Sequence, residues 1–416
     1  MRISVMGCGH VGLVVAACLA NLGNKVTVID IDEEKVKEVN EKACPVYEEG
    51  LDEILKNVDI EATSDYQRLV DSDIIYICVG TPSKKEDGSI SLEYIIGAAK
   101  QIASVLKQKK GYCIIAVKST VVPGTTEELV IPALESSGRK LGDDFGICVN
   151  PEFLREGKAI YDFMNPARII IGEYDSRSGD FLSSLYKGSS APILRTDLRT
   201  AEMIKLASNV FLAAKLSLIN EIGNICKQLG IDTRKVAEGM GFDNRIGNQY
   251  LDAGLGYGGS CLPKDIRALI AKSKQIGYKP RILEAVSELN NIQALRAVEL
   301  LKKHVSLKGT SIGLLGLAFK PETDDIRESR AINIVQSLLE EGATVKAYDP
   351  VAMANFRELF PQIAYVSKEE ILDCDAIIII TEWEEFSNLD YKNKIVIDGR
   401  GVPKAKEARV YEGVCW

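Results

Sequence analysis

Short apolar runs alternate with segments of helical period along the first two hundred residues. ISVMG, VTVID, IIYICVG, CIIAVKST, GICVN and RIIIG each have the length and composition of a strand buried on both faces. Such strands separated by helical segments predict a doubly wound parallel sheet. The alternation resumes near Ser311 with SIGLLGLAF, TVKAYDP, AIIIIT and KIVIDGR, which predicts a second, smaller unit on the same plan. Between the two, Met203, Ile204, Ala207, Val210, Phe211, Ala214, Leu218, Ile222, Ile225 and Leu229 recur at helical spacing without a proline. This predicts one helix of about thirty residues, roughly 45 Å long, which either joins the lobes and offers a face to a second subunit or lies buried in one lobe. The expected fold class is α/β, two Rossmann-like doubly wound parallel-sheet lobes joined by a long central helix. The corresponding division is 1–198, 199–300 and 301–416.

GCGHVG lies between the strand RISVM and an apolar helical segment. In that context Gly7 permits a tight turn, Gly9 lets the backbone approach a pyrophosphate, and Gly12 allows close helix packing, while the helix N-terminus attracts the anion. His10 and Val11 fall in the same turn. Asp30 closes the next strand at the spacing of a carboxylate that accepts from ribose hydroxyls, and it would repel a 2′-phosphate. The expected cofactor is therefore NAD rather than NADP.

Composition narrows the chemistry further. A net charge of −8 argues against a nucleic-acid partner, and no apolar run is long enough to span a bilayer. Ten cysteines stand at irregular spacings without a metal-ligand cluster, and the chain opens directly into a strand, so a reduced, cytoplasmic protein without a metal is expected. The two histidines, His10 and His304, read as solvated or loop residues, leaving proton transfer to lysine, carboxylates or water. Cys8, Cys18, Cys78, Cys113, Cys148, Cys226 and Cys374 read as small buried hydrophobes. Cys261 differs, because GLGYGGSCLPKD places it between a glycine loop and Pro263 at a helix start, with Lys264 nearby, a setting that favours the thiolate.

The motifs GCGHVG, KSTVVPGT, NPEFLREG, EMIKLASN, RIGNQYL, GYGGSCLPKD, FKPETDDIRES and IDGRG, in this order, resemble the UDP-glucose/GDP-mannose dehydrogenase family over nearly the whole chain. The resemblance implies a four-electron oxidation of the C6 hydroxyl of a nucleotide sugar by two NAD in succession, through a cysteine thiohemiacetal and thioester. It implies Cys261 as nucleophile, Lys205 and Asn209 at the C6 oxygen, and Asp265, Thr120 and Glu152 in proton transfer and hydrolysis, with Glu156 near the nicotinamide. It also implies cofactor contacts from Lys35, Thr81, Thr120, Glu156, Lys264 and Arg327. For the nucleotide sugar it implies Glu152, Phe153, Leu154, Lys205, Asn209, Tyr250, Gly254, Tyr257, Gly258, Lys320 and Arg400, with Arg245 donated across a homodimer built on the central helix. RIGNQYLDAGLGYGGSC, NPARIIIG and IDGRG are nearer the UDP-glucose branch. Leu262, GTPSKK and EGVCW resemble the GDP-mannose branch, which stands as the alternative.

Overall fold

The apolar runs become strands in the computed structural model, which describes residues 1–416. In the N-terminal half these are β1 (Arg2–Met6), β2 (Lys25–Ile29), β3 (Ile60–Thr63), β4 (Ile74–Ile77), β5 (Cys113–Val117), β6 (Phe145–Val149), β7 (Ile169–Glu173) and β8 (Ile193–Thr196). They form one sheet in the order β3-β2-β1-β4-β5-β6-β7-β8. Alternate residues of a strand face opposite sides, and both sides are buried: Ile74, Tyr76, Ile114 and Ala116 pack with Leu13 and Val14 of the first helix, while Ile75, Ile77, Ile115 and Val117 pack with Ile95 and Ile102 of a later one. Burial of each such Ile or Val side chain contributes roughly 1.5–3 kcal/mol, which explains why the wholly buried inner strands β4 and β5 carry no charged residue.

One pairing departs from an all-parallel sheet, because β7 runs antiparallel to β6. Between Val149 and Ile169 lies only the short helix Ala159–Met164. The chain thus does not make the full return crossover that a parallel neighbour requires, and it re-enters the sheet from the edge at which it left.

The C-terminal sheet contains β9 (Ser311–Leu315), β10 (Thr344–Tyr348), β11 (Ala364–Tyr365), β12 (Ala376–Ile379), β13 (Ile395–Asp398) and β14 (Val410–Gly413). Its order is β11-β10-β9-β12-β13-β14, all parallel, which repeats the order of the first six N-terminal strands. The central helix runs Leu198–Leu229, 32 residues, and joins the two lobes. The chain divides into two compact units, Met1–Ser208 and Asn209–Trp416, with the boundary inside that helix. The second unit also holds helices Thr233–Gly241, Leu262–Gln275, Arg281–Gln293 and Leu295–Leu301. No helix is long and apolar enough to cross a membrane.

Candidate active site

The N-terminal glycine turn is built by close approach. Gly7 has φ +104°, and a Cβ there would lie 2.6 Å from the Cys78 carbonyl oxygen; one on Gly12 would lie 1.9 Å from that of Gly7. A Cβ on Gly9 would meet nothing within 4 Å, so this backbone is open to a ligand, and the helix His10–Asn21 begins directly after it. Asp30 follows β2 and is half-buried. Its carboxylate accepts from Cys8 N and, at 2.9 Å, from Asp32 N, which leaves lone pairs for hydroxyls. Lys35 Nζ stands 3.5 Å from Asp32, Val11 lies in the first helical turn, Thr81 is buried in the loop after β4, and Thr120 lies three residues beyond the end of β5. The turn, the helix start and the free carboxylate lone pairs fit a dinucleotide.

His10, expected to be a solvated or loop residue, instead opens the first helix and is half-buried. Its Nε2 lies 2.7 Å from Oε2 of Glu48, a carboxylate with no exposed side-chain surface that the sequence did not single out. His304 is exposed in the turn after helix Leu295–Leu301, in line with that expectation, and lies 3.3 Å from Glu412. The partners come from distant segments, which local pattern does not show.

A second cluster of the same unit surrounds Lys205 on the central helix. Lys205 Nζ lies 2.9 Å from Glu152 Oε1, both side chains nearly sealed from water, and Glu152 Oε2 accepts from Leu154 N at 2.6 Å. Burial is the largest influence on Glu152 and would raise its pKa, but the charge and hydrogen bond of Lys205, the Leu154 N–H and the charge of Lys118 together hold it below the ordinary range. The carboxylate is therefore ionised. Two cations stand over the Phe153 ring, Arg168 Cζ 3.9 Å and Lys205 Nζ 5.3 Å from its centre. Phe153, Leu154 and Glu152 line a cavity of about 250 Å³ with Lys118, Asn150 and Arg168. These last three were missed from sequence. Lys118 is buried and donates to Asn150 O at 3.2 Å and Oδ1 at 3.1 Å, and Tyr186 donates to the same Oδ1 at 2.6 Å. The available signal was a lysine directly ending a wholly buried strand, CIIAVK. Glu156 lies half-buried farther along the Glu152 loop.

The second unit contains the cysteine. Cys261 is exposed and is the N-cap of helix Leu262–Gln275, with Pro263 in the first turn, as the sequence predicts. Its neighbour Ser260 places Oγ 3.5 Å from the sulfur. Asp265, buried one turn on, accepts from Asn209 Nδ2 at 2.6 Å and from Lys264 Nζ at 2.7 Å, so Lys264 is ion-paired to the acid beside the thiol. The glycine loop before the cysteine rests on the C-terminal lobe: a Cβ on Gly254 would lie 2.4 Å from Gly399 O, and one on Gly258 2.3 Å from Glu328 O. Tyr250 adopts φ +62°, while the Tyr257 ring packs among Val210, Ala213, Ile266 and Val286. Arg400 Nε donates to Ile380 O at 2.7 Å and Arg327 Nη2 pairs with Asp325 at 2.6 Å. Lys320 Nζ stands 5.9 Å from the Phe319 ring centre, and Arg245 is exposed and paired with Asp243.

Sequence comparison decides what this geometry belongs to. The NAD-binding domain of the UDP-glucose/GDP-mannose dehydrogenase family matches residues 1–190, its central domain 199–292 and its UDP-binding domain 313–405. The chain belongs to that family. It is 42% identical to UDP-glucose 6-dehydrogenase AglM of Haloferax volcanii over 430 residues, covering all of both chains. It is also 42% identical to UDP-glucose 6-dehydrogenase TuaD of Bacillus subtilis over 422 residues, 98% of this chain and 90% of that one. A solved UDP-glucose dehydrogenase of Pyrobaculum islandicum superposes with a TM-score of 0.97 at 42% identity, covering 100% and 98% of the two chains. As a family member the chain is an NAD-dependent nucleotide-sugar dehydrogenase, and its glycine turn lies within the residues that the family's NAD-binding domain matches.

Proposed function

We propose that this protein oxidises UDP-glucose at C6 to UDP-glucuronate, using two NAD in succession. The observation that carries the reading is Cys261: of ten cysteines it alone is exposed, and it sits at a helix N-terminus where the positive end of the dipole favours thiolate. NAD at the Gly7–Gly12 turn supplies a hydride acceptor in each round. Lys205 and Asn209, one turn apart on one helix, hold the C6 oxygen and stabilise its developing negative charge. The Cys261 sulfur bonds to the aldehyde carbon, giving a thiohemiacetal that loses hydride to become a thioester. Water, oriented by Asp265 with Thr120 and Glu152, then cleaves the C–S bond, leaving the carboxylate and regenerating the thiol. Four electrons leave the sugar and water supplies the added oxygen. Glu156, Lys35, Thr81, Lys264 and Arg327 serve the cofactor, and Phe153, Leu154, Tyr250, Gly254, Tyr257, Gly258, Lys320 and Arg400 the nucleotide sugar. UDP is favoured over GDP by the 42% identity to UDP-glucose enzymes over the full chain.

The test is turnover with NAD against UDP-glucose and GDP-mannose in parallel, counting NADH per sugar consumed. Two NADH per UDP-glucose with GDP-mannose inert is expected. Two per GDP-mannose would move the base assignment, and one per sugar would overturn the thioester scheme.

The same reading includes a homodimer through the central helix, supported by exposed Phe211, Leu218 and Ile225 at seven-residue spacing, with Leu229 beyond them. Arg245 would reach the neighbouring subunit from its exposed position. Ten cysteines at irregular spacings support a cytoplasmic setting, and the functional division proposed is 1–198, 199–300 and 301–416.

A further inference from the structure

The N-terminal unit contains a carboxylate that the reaction scheme does not use. Glu48 lies in the segment Cys44–Gly50, between helices Glu33–Asn40 and Leu51–Asn57, and its side chain has no exposed surface. Oε2 takes His10 Nε2 at 2.7 Å and Gly157 N at 2.7 Å, and Oε1 takes Ala159 N at 2.7 Å. Burial works against the charge, but these three donors hold its pKa below the ordinary value of 4.5. One donor is the first residue after Gly9, the open point of the cofactor turn. The other two close the loop that begins at Glu152 and contains Phe153, Leu154 and Glu156.

We infer that Glu48 is a positioning residue: through His10 and the Gly157 and Ala159 amides, it locks the Glu152–Glu156 loop to the NAD turn, so that cofactor binding and placement of that loop are interdependent. The geometry allows an acceptor only, since a backbone N–H donates to each carboxylate oxygen, Gly157 N to Oε2 and Ala159 N to Oε1. A glutamine would set its own N–H₂ against at least one of them. The inference rests on the reading of Glu152 given above, and it matters because the scheme exchanges NADH for NAD while the sugar remains bound to Cys261.

The experiment compares Glu48→Gln, His10→Phe, His10→Gln and Glu152→Gln in the full-length protein. It measures steady-state kcat with UDP-glucose and NAD, NADH affinity by fluorescence titration without sugar, and the folded fraction by circular dichroism. Glu48→Gln and His10→Phe are each expected to lower kcat and weaken NADH binding by about tenfold per folded molecule. His10→Gln, which retains a donor, should recover most of both. If Glu48→Gln does not fold, the partly exposed His10 variants carry the test alone. Values within twofold of wild type in the folded variants overturn the inference, as does a lower melting temperature with unchanged kcat and affinity per folded molecule. Full turnover by Glu152→Gln would instead remove the catalytic reading of the loop, and the NADH affinities would still decide the coupling.

Discussion

The two lobes make the same turn and use the carboxylate beneath it differently. Gly7 N donates to Ile29 O at 2.8 Å and Gly316 N to Tyr348 O at 2.9 Å, both glycines at positive φ, and an aspartate follows the second strand in each case. Asp349 is fully buried and takes Leu317 N, Ala318 N, Val351 N, Ala352 N and the Trp383 indole at 2.7–3.2 Å. Asp30 is half-buried and takes the backbone N–H of Cys8 and Asp32. In the first lobe a helix begins at His10, directly behind the turn, whereas in the second the segment Phe319–Ser329 intervenes before the helix Arg330–Glu340. A carboxylate saturated by donors stiffens the turn, and one with lone pairs left over can meet a ligand. Residue type and register are shared, so the difference lies in how many donors the rest of the lobe brings.

Loss of the saturated carboxylate in the second lobe is expected to cost the most. Asp349→Ala strands four backbone donors and an indole, at about 1–3 kcal/mol for each unsatisfied group, so a loss of roughly 5 kcal/mol or more is expected in denaturant unfolding. Asp30→Ala removes two such bonds and should cost about 2 kcal/mol while weakening NADH binding about tenfold. Equal effects of the two substitutions on both measurements would erase the distinction.

A pH titration sharpens the picture within the first lobe. Glu152 is held below 4.5 by Lys205, so its ionised form stabilises the fold above that pH and the contribution disappears as pH falls through the lower folded value. Glu202 is raised above 4.5, burial outweighing the hydrogen bonds from Thr126 and Gly124, so its contribution is present at low pH and lost as pH rises through the folded value. Between pH 3 and pH 7, melting of Glu152→Gln should therefore fall progressively behind wild type, whereas Glu202→Gln should gain on it. The smallest effect concerns Arg245, whose exposed pair with Asp243 is screened by water. Arg245→Ala should leave the melting temperature unchanged and raise the KM for UDP-glucose only if the residue reaches a neighbouring subunit's site.

Much of this architecture is legible in the chain, and the gaps have a pattern. The strands read from apolar runs are the inner ones. The four that were missed, IEAT, ILRT, AY and VYEG, are the two edges of each sheet, where a strand has one neighbour and needs less apolar surface. The long helix and the singular position of Cys261 were legible because periodicity and glycine-proline context are local signals. The antiparallel β7, the Lys118–Asn150 pair and the Glu48–His10 contact were not, because each depends on where separate segments meet.

Whether the exposed thiol carries the sugar between two oxidations is decided by uronate formation in Cys261→Ala. At least a thousandfold loss of UDP-glucuronate, about 4 kcal/mol of transition-state stabilisation, is expected with NADH affinity unchanged. Uronate production within tenfold of wild type would contradict it.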